Sequence, residues 1–133
     1  TYVGPFELVV GDLSFVSLKS LMPDIARMLT PEATLAILVK PQFELDADQI
    51  GEGGIVRDPA LHELALNQAL DAATECGLVV LDVAYSPVKG TKGNVEFLMR
   101  ATQPLVEGDA PAHVSDELRD KVREVVASAH DSL

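Results

Sequence analysis

The chain has 133 residues, 47% of them hydrophobic, a single cysteine and a formal net charge of −11. The length suits one domain that can bury a core, while the acidic balance argues against a nucleic-acid-binding surface, which needs clustered Lys and Arg. No apolar run approaches the roughly 20 residues of a membrane-spanning helix, no signal peptide is visible, and the lone Cys76 rules out an intrachain disulfide framework and points to a reducing cytoplasm.

The chain opens TYVGPFELVV without an initiator methionine, so a piece of a longer protein is expected. FELVV, closed by Gly11 and Asp12, reads as a buried strand with a turn at its end. Leu18, Leu21, Ile25, Met28 and Leu29 follow at helical spacing, and Pro23 predicts that this helix effectively starts there, after an irregular turn. ATLAILVK, ending at Lys40, reads as a second strand, which completes a βαβ unit with a right-handed crossover.

Residues 44–57, ELDADQIGEGGIVR, are polar and glycine-rich and predict a mobile loop. Asp58 as N-cap and Pro59 in the first position then start a helix that Gly77 ends. LVVLDVAYS supplies a third strand and VEFLMRA a fourth; the intervening PVKGTKGN is short enough to join antiparallel neighbours. Residues 102–113 read as a linker, and Ser115 caps a last helix with Leu118, Val122, Val125, Val126 and Ala129 on one side. The expected fold is α/β: three covered strands plus an antiparallel return strand, half of a doubly wound sheet, over residues 1–101. An acidic linker and helix occupy 102–133.

Three polar residues fall at equivalent places in this topology. Asp12 follows the first strand, Lys40 ends the second and Glu96 lies near the start of the antiparallel return strand, so all three can meet at the sheet edge where α/β folds gather their chemistry. Each has a plainer reading: Asp12 as a helix cap, Lys40 as a solvated strand end, Glu96 as an exposed alternation position. Cys76, beside Gly77 at a helix end, suits a small buried hydrophobe. His62, His113 and His130 are scattered without ligand spacing, and no metal site is expected.

The blocks VVGDLSFVSLK, LVKPQFE, GEGGIVRDP and SPVKGTKGNVEF, in this order between Phe6 and Met99, resemble the catalytic domain of the hemolysin A-type (TlyA) family, which is similar to the FtsJ-like RNA methyltransferases. The resemblance implies the C-terminal half of a Rossmann-like S-adenosylmethionine-dependent methyltransferase fold, truncated, and 2′-O-methylation of ribosomal RNA. FtsJ-like enzymes use a lysine, aspartate, lysine, glutamate tetrad. By motif its aspartate falls on Asp12, its second lysine on Lys40 and its glutamate on Glu96, whereas the first lysine, the glycine-rich cofactor loop and the S4-type RNA-binding domain have no counterpart here. The cofactor S-adenosylmethionine is then expected against Asp12, Leu13 and Ser14, and RNA against Arg57, Lys89 and Lys92, with most RNA affinity supplied by the absent N-terminal domain.

A ribose 2′-hydroxyl is a poor nucleophile until its proton is removed or polarised, and methyl transfer needs it in line with the methyl group. Lysine serves as base only if desolvation or a second cation lowers its pKa. The expectation is that Lys40 handles the proton while Asp12 and Glu96 hold its amine. Two alternatives stay open. One is a non-catalytic interaction module that forms a homodimer through the exposed edge of the first strand. The other is a membrane-damaging hemolysin, which the lack of a spanning segment or basic amphipathic helix disfavours.

Overall fold

Ala33, Leu35, Ile37 and Val39 are buried while Thr34, Ala36 and Leu38 between them are half-buried, the two-residue period of a strand with one face on the core. The computed structural model describes residues 6–11, 18–45, 47–90, 93–104, 111 and 113–132. In chain order these form β1 (Phe6–Gly11), α1 (Leu18–Met28), β2 (Leu29–Val39), α2 (Pro41–Glu44), α3 (Pro59–Glu75), β3 (Val79–Tyr85), β4 (Phe97–Thr102) and α4 (Asp116–Ser132). The sheet order is β1-β2-β4-β3. β1 and β2 run parallel, and β4 lies antiparallel between β2 and β3. The return strand therefore enters the middle of this sheet.

The three long helices share one core with one face of the sheet. Met22, Ile25 and Ala26 of α1, Leu66, Ala69, Leu70 and Ala73 of α3, and Val122, Val125, Val126 and Ala129 of α4 pack with Leu35, Ile37, Val39, Phe97 and Met99. The expectation of covered strands holds for this face only among the described residues: on the other, Leu98 and Arg100 are exposed. Arg119 of α4 reaches α3, its Nη1 donating to Asn67 Oδ1 at 2.7 Å and its Nη2 to Asp71 Oδ1 at 2.6 Å. A partly exposed pair of this kind contributes on the order of 1 kcal/mol or less, so the valine seam is the main attachment of α4.

Two boundaries differ from the sequence reading. Pro23 lies inside α1 rather than at its start. An internal proline removes a hydrogen bond and crowds the preceding turn, at about 3 kcal/mol, and the burial of Met22, Ile25 and Ala26 around it offsets that cost. β2 begins at Leu29, directly after α1, but its register against β1 shifts between Phe6 and Leu8, so the regular ladder starts at Thr34. Pro31 cannot donate to a ladder, consistent with that irregular start.

α2 ends at Glu44, where the expected loop begins, and that segment holds two 3₁₀ turns, Ala47–Gln49 and Glu52–Gly54, with the Gly51 N–H donating to the Ile55 carbonyl at 3.0 Å. The caps fall where their residue types direct. Asp58 Oδ1 accepts from the Ala60 N–H at 2.9 Å, Pro59 opens α3, and Ser115 Oγ accepts from the Leu118 N–H at 3.2 Å.

Past α3, Gly77 adopts φ +83°, with its N–H on the Thr74 carbonyl and the Leu78 N–H on the Ala73 carbonyl. This pair of bonds is the Schellman cap, which requires the left-handed region at Gly77. A Cβ there would meet nothing within 4 Å, so Gly77→Ala isolates backbone strain from packing. It should lower stability by about 1 kcal/mol, seen as a reduced urea midpoint at an unchanged m-value.

Candidate active site

Strand register fixes what stands at the rim. Val39 faces Phe97 in the antiparallel β2–β4 ladder, so Lys40, just past β2, comes against Glu96, just before β4. Lys40 Nζ lies 3.6 Å from Glu96 Oε2, and the two side chains are only 12% and 10% exposed. An ion pair so withdrawn from water is weakly screened, and deleting one partner strands the other charge. Glu96 is therefore not the exposed alternation position that its plainer reading implies, nor is Lys40 a freely solvated strand end. Asp12, Leu13 and Ser14 lie outside the described residues, as does Lys92. β1 ends at Gly11, paired with Ile37, so the chain leaves β1 at the same sheet edge as Lys40.

The turn between β3 and β4 is built around the Glu96 carboxylate. The Gly90 N–H donates to the Asn94 carbonyl at 2.8 Å, the Gly93 N–H to the Gly90 carbonyl at 3.0 Å, and the Ser86 N–H to the Glu96 carbonyl at 2.8 Å. This closes the turn and folds Gly90 onto Glu96. A Cβ on Gly90 would overlap Oε2 and stand 2.6 Å from Cδ. Only glycine leaves the carboxylate its place.

A chain of buried polar contacts ties this turn to the helices. Asn94, 2% exposed, accepts from the Val56 N–H at 2.9 Å through Oδ1 and donates to the Gly54 carbonyl at 3.0 Å through Nδ2. The Val56 carbonyl lies 2.8 Å from His62 Nε2, and His62 Nδ1 lies 2.8 Å from His130 Nε2. A carbonyl can only accept, so His62 Nε2 bears the proton; in the neutral pair His62 Nδ1 accepts from the His130 Nε2–H. The His62 ring also meets Phe97 edge-on, with centroids 5.6 Å apart. Burial is the largest influence on His62 and lowers its pKa; the Val56 bond opposes this, His130 adds to it, and Asp58 opposes it again.

Arg57 and Lys89 line one cavity of about 420 Å³ together with His62 and His130. The structure thus brings together two of the three residues expected to meet RNA. Cys76 is half-buried, and desolvation, then the Glu75 charge, raises its thiol pKa, which suits the inert reading. Among the described residues no group of three or more His, Cys, Asp or Glu can hold a metal ion.

Sequence reading missed Gly90, Asn94 and the two histidines. His62 does share a helical stripe with Leu66, Ala69 and Leu70, which signals a buried imidazole. Its partnership with His130, 68 residues away, has no local signal.

Residues 2–102 match the family described as FtsJ-like methyltransferase. The chain is similar to YqxC of Bacillus subtilis, provisionally named an rRNA methyltransferase, at 34% identity over 127 residues, covering 96% of this chain and 44% of that protein. It is 40% identical over 96 residues to the 16S/23S rRNA (cytidine-2′-O)-methyltransferase TlyA of Mycobacterium tuberculosis, covering 72% of this chain and 36% of that one. A solved Streptococcus thermophilus structure, described provisionally as a hemolysin, superposes with a TM-score of 0.84 at 35% identity over 95% of this chain and 43% of its own. The chain thus spans less than half the length of these relatives.

Two outcomes follow from the geometry. Gly90→Ala should displace the Glu96 carboxylate from Lys40 and lower any activity that depends on the pair, while circular dichroism stays native; an unchanged rate would show that the pair tolerates the displacement. For His62, the unfolded chain takes up a proton near the ordinary pKa of about 6.5 and the folded chain only at lower pH, so the folded state loses stability as pH falls through that interval and gains none from this group above it. Urea midpoints measured from neutral to mildly acidic pH should fall more steeply for the wild type than for His62→Gln.

Proposed function

The chain belongs to the FtsJ-like methyltransferase family, and from that premise we propose that the protein containing it transfers a methyl group from S-adenosylmethionine to a 2′-hydroxyl of ribosomal RNA in the cytoplasm. The observation that supports this most is the withdrawn Lys40–Glu96 pair at the C-terminal edge of the parallel strands, the edge at which open α/β sheets bind ligands. The names of the relatives at 34% and 40% identity point to the same chemistry.

The fit of S-adenosylmethionine to this edge rests on position. β1 and β2 are parallel, and Gly11 at the end of β1 pairs with Ile37, two residues before β2 ends at Val39; the proposed cofactor residues Asp12, Leu13 and Ser14 come next in the sequence. When bound, the cofactor supplies an electrophilic methyl group on a sulfonium.

In this reading Lys40 takes or polarises the proton of the ribose hydroxyl. Glu96 orients the amine from its seat on Gly90, and Asp12 assists while bordering the cofactor. Carboxylates favour the charged ammonium, so the pair alone sets Lys40 up to position the hydroxyl; a second cation would make it a stronger base. The tetrad's other lysine has no matching position in this chain. Arg57, Lys89 and Lys92 are the residues we assign to RNA.

A second reading, an interaction module, draws on one observation: β1 is the terminal strand of the described sheet, and an end strand offers backbone groups for pairing with another copy. Sedimentation that depends on concentration, and is abolished by a proline in β1, would favour it. No helix among the described residues is long and apolar enough to cross a membrane.

Lys40→Ala in the intact protein should reduce methyl transfer to ribosomal RNA by roughly 10²–10⁴-fold, the range for a lost acid–base group. Calorimetric binding of S-adenosylhomocysteine should change little. Full activity in the variant would remove Lys40 from the mechanism.

A further inference from the structure

Asn94 is a polar side chain with almost no access to water, 2% exposed, in the turn that leads to Glu96. Its carboxamide meets residues 51–56 with both of its polar atoms: Oδ1 accepts from the Val56 N–H at 2.9 Å and Nδ2 donates to the Gly54 carbonyl at 3.0 Å. These two backbone groups require one acceptor and one donor in a single plane, and asparagine supplies both. Aspartate would offer only acceptors, and an aliphatic side chain neither. The partner segment is itself closed by backbone bonds, from the Gly51 N–H to the Ile55 carbonyl at 3.0 Å and from the Gly54 N–H to the Gly51 carbonyl at 3.1 Å. Asn94 is therefore tied to a formed structure 38 and 40 residues away in the chain.

The main chain of the same residue reaches the candidate active site. The Asn94 carbonyl accepts from the Gly90 N–H at 2.8 Å, and it is the bare Cα of Gly90 that leaves room for the Glu96 carboxylate. Two residues on, the Glu96 carbonyl accepts from the Ser86 N–H at 2.8 Å, and Val95 between them is buried in the core. The segment 94–96 is thus held at both ends and in the middle. Its Asn94 end is secured by a side chain, so a substitution can release it. The 3.6 Å between Lys40 Nζ and Glu96 Oε2 is then fixed by strand register on one side and by Asn94 on the other. Reacting groups are sensitive to such placement, losing about 10²-fold in rate for a shift of about 1 Å.

We propose that Asn94 is a positioning residue for the reaction: it pins the turn between β3 and β4 to residues 51–56 and so holds the Glu96 carboxylate against Lys40. That this serves methyl transfer rests on the methyltransferase reading; the pinning itself rests on the bonds.

The test uses the intact protein with isotopically labelled glutamate carboxylates followed by NMR, the Glu96 signal being the one lost in Glu96→Gln. Asn94→Ser, whose hydroxyl cannot span both backbone groups, and Asn94→Asp, which sets an oxygen against the Gly54 carbonyl, should each move that signal, as should Gly90→Ala. Asn94→Ser should lower kcat for methyl transfer by about 10²-fold, with S-adenosylhomocysteine affinity near wild type. In a Glu96→Gln background the same substitution should cost less than about twofold more, because the two residues act through one contact. A residue that only stabilises the fold would lower the urea midpoint and cost the same factor in both backgrounds. That additive result, or an unmoved Glu96 signal in the folded variants, would overturn the proposal. The side-chain amide signals of Asn94, read in Gly90→Ala, report the coupling without any change at Asn94: they should shift, and unshifted signals would overturn it as well. Carboxylate shifts in a protein that methylates no ribosomal RNA would overturn the functional reading and leave the positioning standing; full methylation by Asn94→Ser with an unmoved Glu96 signal would do the reverse.

Discussion

The antiparallel entry of β4 between β2 and β3 is the constraint on which the site depends. A strand running the opposite way begins where its neighbours end, so the residue before β4 must stand beside the residue after β2. Register then decides which residues these are, and a one-residue slip would exchange buried for exposed side chains along the whole strand. Phe97, Met99 and Ala101 are fully buried and hold that register. The core of the sheet thereby sets the separation of Lys40 and Glu96.

The same turn that delivers Glu96 also organises the segments around it. Asn94 satisfies backbone groups at Gly54 and Val56, Val56 fixes His62, and His62 fixes His130. Buried polar groups are costly unless paired, and each link in this series is paired. A disturbance at α4 therefore has a contiguous physical route to the rim, and the cationic cavity lies along that route.

Much of the architecture was legible because its signals are local. Asp58, Pro59, Gly77 and Ser115 mark helix ends through their own backbone chemistry, and the strands show as short apolar runs. The proximity of Lys40 and Glu96 was legible too, since topology alone places both at one edge. Pro23 misled because packing by Met22, Ile25 and Ala26 outweighs a local penalty, and local propensity does not register tertiary packing. Gly90 was hidden for a related reason: its necessity comes from the Glu96 carboxylate that folds back against it. His62 and His130 looked unrelated because the contact joins two helices far apart in sequence. Asp12, Leu13, Ser14 and Lys92 lie outside the described residues, so their roles stand on the family resemblance.

The central claim is methyl transfer to a ribose oxygen, and the chemistry of the product tests it most directly. Ribosomal subunits would be incubated with the intact protein and S-adenosylmethionine labelled in its methyl group, and the RNA then hydrolysed in alkali. A 2′-O-methyl group blocks the attack of that oxygen on the neighbouring phosphate, so the account predicts label in alkali-resistant dinucleotides. Label in mononucleotides would mean that a base is the acceptor, and absence of label from the RNA would contradict the account altogether.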